Sequence, residues 1–267
     1  MAAKSKLGQN FLRDPQAIQR IAASLGDLSS RTVVEIGPGK GAITELLATR
    51  AKQLIAIELD RELAWNLGER FSPEKNIQNV TVTRQDVLAF DFEKAASDAG
   101  QPLLVVGNLP YYITSPILLR LAANARSLDR AVLMVQREVA DRVTARPGSR
   151  DYGLLTVTLQ LYGSSEPLFT LPPEAFVPPP EVHSTVFRWT LAPRFQQLSI
   201  EEAPFILFLK QSFAQKRKTL TNNLRAAGKP SEIIAEAFAA TKISPQIRAE
   251  AMSLEELASL WRAVSLF

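Results

Sequence analysis

Thr32-Val33-Val34-Glu35-Ile36-Gly37-Pro38-Gly39-Lys40-Gly41 runs straight into a helical pattern over residues 42–50. A β-branched run, a glycine-rich turn and a helix N-terminus in immediate succession let backbone come close to a ligand and point N–H groups at it. The arrangement predicts an α/β domain whose ligand sits beyond the carboxyl ends of parallel strands. The next strand, 53–57, ends in Glu58-Leu59-Asp60. A carboxylate about 20 residues past such a turn suits a ribose diol, because it accepts from two hydroxyls at once. Glu58 is that candidate, and Asp60 reads as the N-cap of a helix over 61–71. A third strand, 80–83, is followed by Gln85-Asp86-Val87, with Asp86 placed to accept from the amino group of a cofactor adenine. Gly37-x-Gly39-x-x-Ala42 also satisfies the dinucleotide fingerprint in its Gly/Ala form, so a nicotinamide-dependent oxidoreductase stands as the alternative.

A second strand end carries different chemistry. The apolar run Leu103-Leu104-Val105-Val106-Gly107 reads as a buried parallel strand and stops at Asn108-Leu109-Pro110-Tyr111-Tyr112. An amide side chain, the carbonyls of Leu109 and Pro110 and a flat ring suit a planar, amino-bearing base. An exocyclic amino group such as adenine N6 gives its lone pair to the ring. If the Asn108 oxygen and one backbone carbonyl accept its two N–H bonds, the nitrogen is drawn toward tetrahedral geometry and its lone pair is freed. Tyr111 would stack on the base, an interaction worth about 1–3 kcal/mol.

Composition narrows the field. The 267 residues hold no cysteine, which excludes disulfides, zinc–thiolate sites, iron–sulfur clusters and thiol nucleophiles. The single histidine, His183, lies in a strand-like run over 182–191 away from any serine motif and reads as structural or surface. No metal site is expected. Without an apolar stretch near 20 residues or a signal-peptide core, the expectation is a cytoplasmic protein with no membrane partner. Lys and Arg total 31 against 27 Asp and Glu, a balance that permits a polyanionic partner.

The remaining pattern sets the organisation. Residues 4–13 carry three cations and no acid before the Asp14-Pro15 helix start, and by composition read as a solubilising arm. Helices are expected over 116–125 and 137–145, strands over 131–136 and 154–161, and between the last two a loop with Arg146 and Arg150. Phe176-Val177-Pro178-Pro179-Pro180-Glu181 is a stiff extended loop whose aromatic residue could form the far wall of a base pocket. After about Arg194 the patterns are helical only, over 201–213, 216–227, 231–239 and 254–264. Lys210, Lys216, Arg217, Lys218, Arg225 and Lys229 occur there between 203 and 231 without an acid among them, a phosphate-binding footprint on a helix.

These residues together resemble the small-subunit ribosomal RNA adenine N6-dimethyltransferases, the KsgA type. Leu7-Gly8-Gln9-Asn10-Phe11-Leu12, Glu35–Gly41, Glu58-Leu59-Asp60, Gln85-Asp86-Val87, Gly107-Asn108-Leu109-Pro110-Tyr111 and Phe176-Val177-Pro178-Pro179-Pro180 look like that family's motifs, in its order. The resemblance implies a seven-stranded, Rossmann-like S-adenosylmethionine methyltransferase domain over 1–194 and a small all-α RNA-binding domain over 195–267. It implies two methylations on each of two neighbouring adenosines in a hairpin near the 3′ end of 16S rRNA, and a part in small-subunit biogenesis. It makes Asn10, Leu12, Gly37, Gly39, Glu58, Asp86 and Asn108 cofactor contacts, which demotes the solubilising-arm reading. Asn108, Leu109, Pro110, Tyr111 and Phe176 become the reaction centre, and Arg146, Arg150, Lys216, Arg217, Lys218 and Arg225 the RNA contacts. Leu109 stands where the DNA adenine methyltransferases usually have Pro, a departure that matches the RNA branch. Residues 213–224 look like the small-subunit enzymes' second domain. The partner is then 16S rRNA in the small subunit or its precursor, met by a monomer.

Overall fold

In the computed structural model residues 9–265 are described; Leu7 and Gly8 of the first motif lie outside them. The order is β1 (Phe11–Leu12), α1 (Pro15–Ser24), β2 (Thr32–Ile36), α2 (Ala42–Ala48), β3 (Gln53–Glu58), α3 (Arg61–Arg70), β4 (Val80–Arg84), α4 (Phe92–Ala99), β5 (Leu103–Asn108), α5 (Thr114–Ala123), β6 (Leu128–Gln136) and α6 (Arg137–Val143). It continues with α7 (Leu154–Tyr162), β7 (Gly163–Leu171), β8 (Phe176–Val177), β9 (Ser184–Leu191), α8 (Phe195–Leu198), α9 (Glu202–Ser212), α10 (Leu220–Ala226), α11 (Ser231–Thr241) and α12 (Leu254–Ser265).

Seven strands form one sheet in the order β4-β3-β2-β5-β6-β9-β7, and β1 pairs with β8 in a separate two-stranded ribbon. Strands β4, β3, β2, β5 and β6 run parallel, and β9 is antiparallel to β6. β2 is buried along its whole length, as expected of a strand covered on both faces. The chain winds outward from β2 to β3 and β4, then returns to the other side of β2 as β5. That reversal is a topological switch point, and it sets the turn after β2 beside the end of β5. Gly107 permits the close approach: opposite Ile36, a Cβ there would lie 2.6 Å from the Ile36 carbonyl oxygen. The core on one side of the sheet gathers Ile21, Leu47, Leu54, Leu67, Leu104, Val106 and Phe176.

The chain divides into two compact units, 1–140 with 164–192, and 141–163 with 193–267. Residues 141–163 thus join the C-terminal helices, whereas the sequence reading drew one cut at 194. In the second unit Phe205 meets Trp261 edge to face at 5.7 Å, and Leu220, Leu224, Phe238, Leu257 and Leu260 are buried.

Several elements differ from expectation, among them α7, β7 and α10. Residues 154–161, read as an alternating strand, are helix α7. Its Thr156, Val157, Thr158, Leu159, Leu161 and Tyr162 are all buried, so the alternation of threonine with valine and leucine marks no solvent-facing side. The helix start is fastened by Gly153 N–H donating to Thr156 Oγ1 (3.1 Å) while that hydroxyl donates to the Arg142 carbonyl (2.6 Å). β7 was not anticipated, because Gly163, two serines and Pro167 resemble a loop; at a sheet edge the missing proline N–H costs no ladder bond. The helix expected over 216–227 begins only at Leu220, after Thr219 caps it, so Lys216, Arg217 and Lys218 sit in a turn.

Candidate active site

Two recesses open at the carboxyl ends of the parallel strands. The larger, about 770 Å³, is lined by residues 9–12, by Glu35 and Gly37–Lys40 after β2, by Glu58 and by Asn108–Tyr111. The smaller, about 480 Å³, has apolar walls from Ile36, Ile57, Leu59, Val87, Ile113 and Ile117, with Asp86 at its border. Glu58 lines both. An apolar slot beside a more polar recess, with one carboxylate lining both, suits a base, a ribose and a charged tail in that order.

Each polar side chain is held in place. Glu58, at the end of β3, accepts from the Asp60 N–H through Oε1 (2.9 Å) and from the Gly39 N–H through Oε2 (3.0 Å). Burial raises its pKa while these backbone bonds pull it down. Gly39 has φ +58, and a Cβ there would meet the Phe11 ring at 2.9 Å. The ring therefore lies on the turn itself, with Lys40 Nζ 4.8 Å from its centroid. Asn108 Nδ2 donates to the Asn10 carbonyl at 2.9 Å. A carbonyl only accepts, so the amide nitrogen has to face it, and the acceptor Oδ1 points the other way. Leu109 is buried, its N–H donating to Met134 (3.0 Å). The Pro110 carbonyl already accepts from the Ile113 N–H (3.2 Å) and the Thr114 hydroxyl (3.0 Å). Tyr111 is half-buried, and its phenol oxygen lies 2.7 Å from Ser184 Oγ. Desolvation raises the Tyr111 pKa, so the phenol stays neutral.

The structure thus brings Asn10, Leu12, Gly37, Gly39, Glu58, Asn108, Leu109, Pro110 and Tyr111 to one recess and Asp86 to the adjoining one. Asp86 spends Oδ1 capping the turn at Leu88 N–H (2.9 Å), which leaves Oδ2 toward other donors. Phe176 is placed differently from the other base-pocket candidates. At 2 % exposure it packs in the core opposite Leu12 across the β1–β8 ribbon and lines neither recess. His183 is exposed, its carbonyl accepting from the Arg137 N–H.

Sequence reasoning passed over Glu35 and Ser184. Glu35 is 1 % exposed, accepts from Thr44 Oγ1 (2.7 Å) and is pushed up to about 7, first by desolvation and then by the neighbouring Glu58 charge. The available signal was an acid at the fourth position of an otherwise apolar strand.

Within the second unit, Arg146, Arg150, Lys216, Arg217, Lys218 and Arg225 are all exposed. Lys216 Nζ donates to the Arg150 carbonyl (3.1 Å), joining the loop after α6 to the turn before α10. Asn223 Nδ2 ties that turn down through the carbonyls of Ser212 (2.7 Å) and Gln215 (3.3 Å). Among the described residues no cluster of three or more His, Asp or Glu is placed to hold a metal, and no helix is long and apolar enough to cross a membrane.

Fold and site define a Rossmann-like methyltransferase of the S-adenosylmethionine-dependent class. Residues 1–265 match the family model described as ribosomal RNA adenine dimethylase, and the chain belongs to that family. It is 58% identical to the ribosomal RNA small subunit methyltransferase A of Acidobacterium capsulatum, over 98% of this chain and 91% of that protein. It is 49% identical to the protein of the same name from Koribacter versatilis, over 97% and 94%. Among solved structures, a dimethyladenosine transferase from Plasmodium falciparum superposes with a TM-score of 0.81 at 23% identity, covering 94% of this chain and 95% of that one. The 23S rRNA methyltransferase ErmE superposes at 0.73 with 26% identity, covering 96% and 100%. The oxidoreductase alternative falls with the family match: the glycine spacing it rested on is shared by two nucleotide-binding classes, and only one of them accounts for Asn108–Tyr111.

Proposed function

We propose that this chain methylates N6 of two adjacent adenosines, twice each, in a hairpin near the 3′ end of 16S rRNA. The substrate is the small ribosomal subunit or its precursor, met in the cytoplasm by a monomer, and the modification belongs to small-subunit biogenesis. The observation that carries the reading is Asn108 turned with its acceptor away from Asn10 in the recess that Glu58 shares with the apolar slot.

The donor set fits S-adenosylmethionine. Asp86 and the apolar slot take its adenine, Glu58 its ribose, and Asn10, Leu12, Gly37 and Gly39 its amino-acid portion. Glu35 adds a second carboxyl to that recess, and a cationic ligand favours its ionised form. When bound, the cofactor supplies a methyl group that becomes bonded to N6 as its bond to the sulfonium breaks, the bonding pair staying on sulfur.

The chain's own residues orient the base. Asn108 Oδ1 and the Leu109 carbonyl accept the two N6 hydrogens, the Pro110 carbonyl being already engaged twice. Tyr111 receives the flipped base on its face. The neutral phenol takes no proton; the methylated nitrogen, acidic as a cation, releases its own to solvent. Positioning and fixed acceptors therefore carry the catalysis. The exposed cations from Arg146 to Arg225 bind rRNA phosphates.

The test is incubation of unmodified small-subunit particles with the protein and S-adenosylmethionine, followed by mass spectrometry of the digested RNA. Two N6-dimethyladenosines per 16S rRNA are expected, and none without cofactor. Particles that remain unmodified would overturn the assignment.

A further inference from the structure

We infer that Ser184 is a positioning residue for the second methyl transfer to each base, acting through the Tyr111 ring; the inference rests on the methyl-transfer reading above. Tyr111 opens a short turn immediately after β5 and Pro110. Its phenol oxygen meets Ser184 Oγ at 2.7 Å. Ser184 is the first residue of β9, lies opposite Gln136 of β6, and is fully buried. Since β6 separates β5 from β9, the tyrosine bridges two inter-strand spacings, about 10 Å, across the end of the sheet. The chain just before Ser184 is fastened as well, with the Arg137 N–H donating to the His183 carbonyl at 3.0 Å. The ring is thus held at both ends, by its own turn and by a hydroxyl rooted in a central strand pair.

The chemistry asks more of that ring in the second transfer than in the first. An unmethylated adenine offers two N6 hydrogens, which Asn108 Oδ1 and the Leu109 carbonyl can both accept. After one transfer a single hydrogen is left, and one of those two bonds can no longer form. The base must still present its nitrogen lone pair in the same direction, with a methyl group where a hydrogen bond had been. Stacking on Tyr111 then sets a larger share of the orientation. A ring free to tilt degrades the second alignment more than the first. A buried hydrogen bond of ordinary strength holds a ring in place by about fivefold in population.

The test follows both products over time on unmodified small-subunit particles, with mass spectrometry resolving N6-monomethyladenosine from N6,N6-dimethyladenosine. In Ser184→Ala the second rate constant should fall about fivefold more than the first, so that the monomethyl product accumulates. Ser184→Thr, which keeps the hydroxyl, should restore the wild-type ratio. Tyr111→Phe removes the same bond from its other side without touching β9. In that background Ser184→Ala should have no further effect on the ratio, as expected when two residues act through one interaction. Affinity for S-adenosylhomocysteine, measured by calorimetry, should match wild type in Ser184→Ala. Equal slowing of both transfers in Ser184→Ala, or independent multiplying effects of the two substitutions, would overturn the inference. A wild-type protein that makes neither product would overturn the methyl-transfer reading itself, and this inference with it.

Discussion

The recess at the switch point and the basic surface of the second unit use polar groups in opposite ways. In the recess, Glu58, Asn108 and Glu35 are each fixed by short bonds to backbone or hydroxyl partners, at the end of a sheet whose strand β2 is buried on both faces. On the basic surface, Lys216, Arg217, Lys218 and Arg225 are exposed, and the backbone beneath them is what is held, by Asn223. Fixed acceptors act by geometry and lose their effect if displaced or removed. Exposed cations act by charge, share a load and are screened by salt. The first arrangement suits chemistry on one atom, and the second suits grip on a polyanion.

The sharpest break of that contrast is Asn108→Ala. It deletes a preorganised acceptor from the reacting atom and leaves Glu58 and the apolar slot intact. Loss of one fixed hydrogen-bonding group at a reacting centre costs on the order of 100- to 1,000-fold in turnover. The expected outcome is that loss in single-turnover methylation of small-subunit particles, with S-adenosylhomocysteine affinity reduced only a few-fold. A drop of similar size in both would mean that Asn108 holds cofactor rather than base.

How far the sequence reveals these two regions follows from the same physics. Strand ends at a switch point announce themselves, because an apolar run that stops at Gly and Pro can only leave its next side chains at the sheet edge. Asn108 was legible for that reason, Glu58 from its spacing past the glycine turn, and Asp86 from its place just after a strand. Glu35 was not, since a buried acid inside a strand looks like a mistake until Thr44 is seen beside it. Ser184 was hidden because its partner is 73 residues away. Phe176 shows the converse: its motif marked it, but pairing of β8 with the N-terminal strand, a long-range contact, buries it. In the second unit the cations were countable, yet the placement of Lys216, Arg217 and Lys218 in a turn rather than on a helix depended on Thr219 and Asn223. Helix α7 carries a strand-like alternation of threonine with valine and leucine, and only the structure shows that its threonines are buried along with its apolar residues.

Rigid burial in the recess also has a cost that pH should expose. Glu35 holds its proton up to about pH 7 in the folded protein, against an ordinary value of 4.5. A carboxyl whose folded pKa is raised contributes stability below the unfolded value, and that contribution is lost as pH rises through the folded value. Between about pH 4.5 and 7 this group should therefore cost the ligand-free protein about 3 kcal/mol. Glu58, raised for the same reason, acts in the same direction. Glu35→Gln keeps an acceptor for Thr44 and removes the charge, so its urea midpoint should be flatter over that window than the wild-type one. Parallel curves for the two proteins would place the pH dependence elsewhere.

The basic surface should respond weakly and in proportion to charge. Replacing Lys216, Arg217 and Lys218 together with Gln removes three exposed cations from one turn. Each phosphate contact contributes about 0.7–0.9 to the slope of log K against log salt, so a slope shallower by about 2 is expected if all three bind. At moderate salt that corresponds to roughly a tenfold loss of affinity for small-subunit RNA, with turnover at saturating particle much less affected. The salt series decides the matter better than any single affinity. If the slope stays at the wild-type value while affinity falls, the turn acts through its shape. If turnover falls while the slope is unchanged, the turn belongs with the recess, and the division between fixed acceptors and shared charge fails.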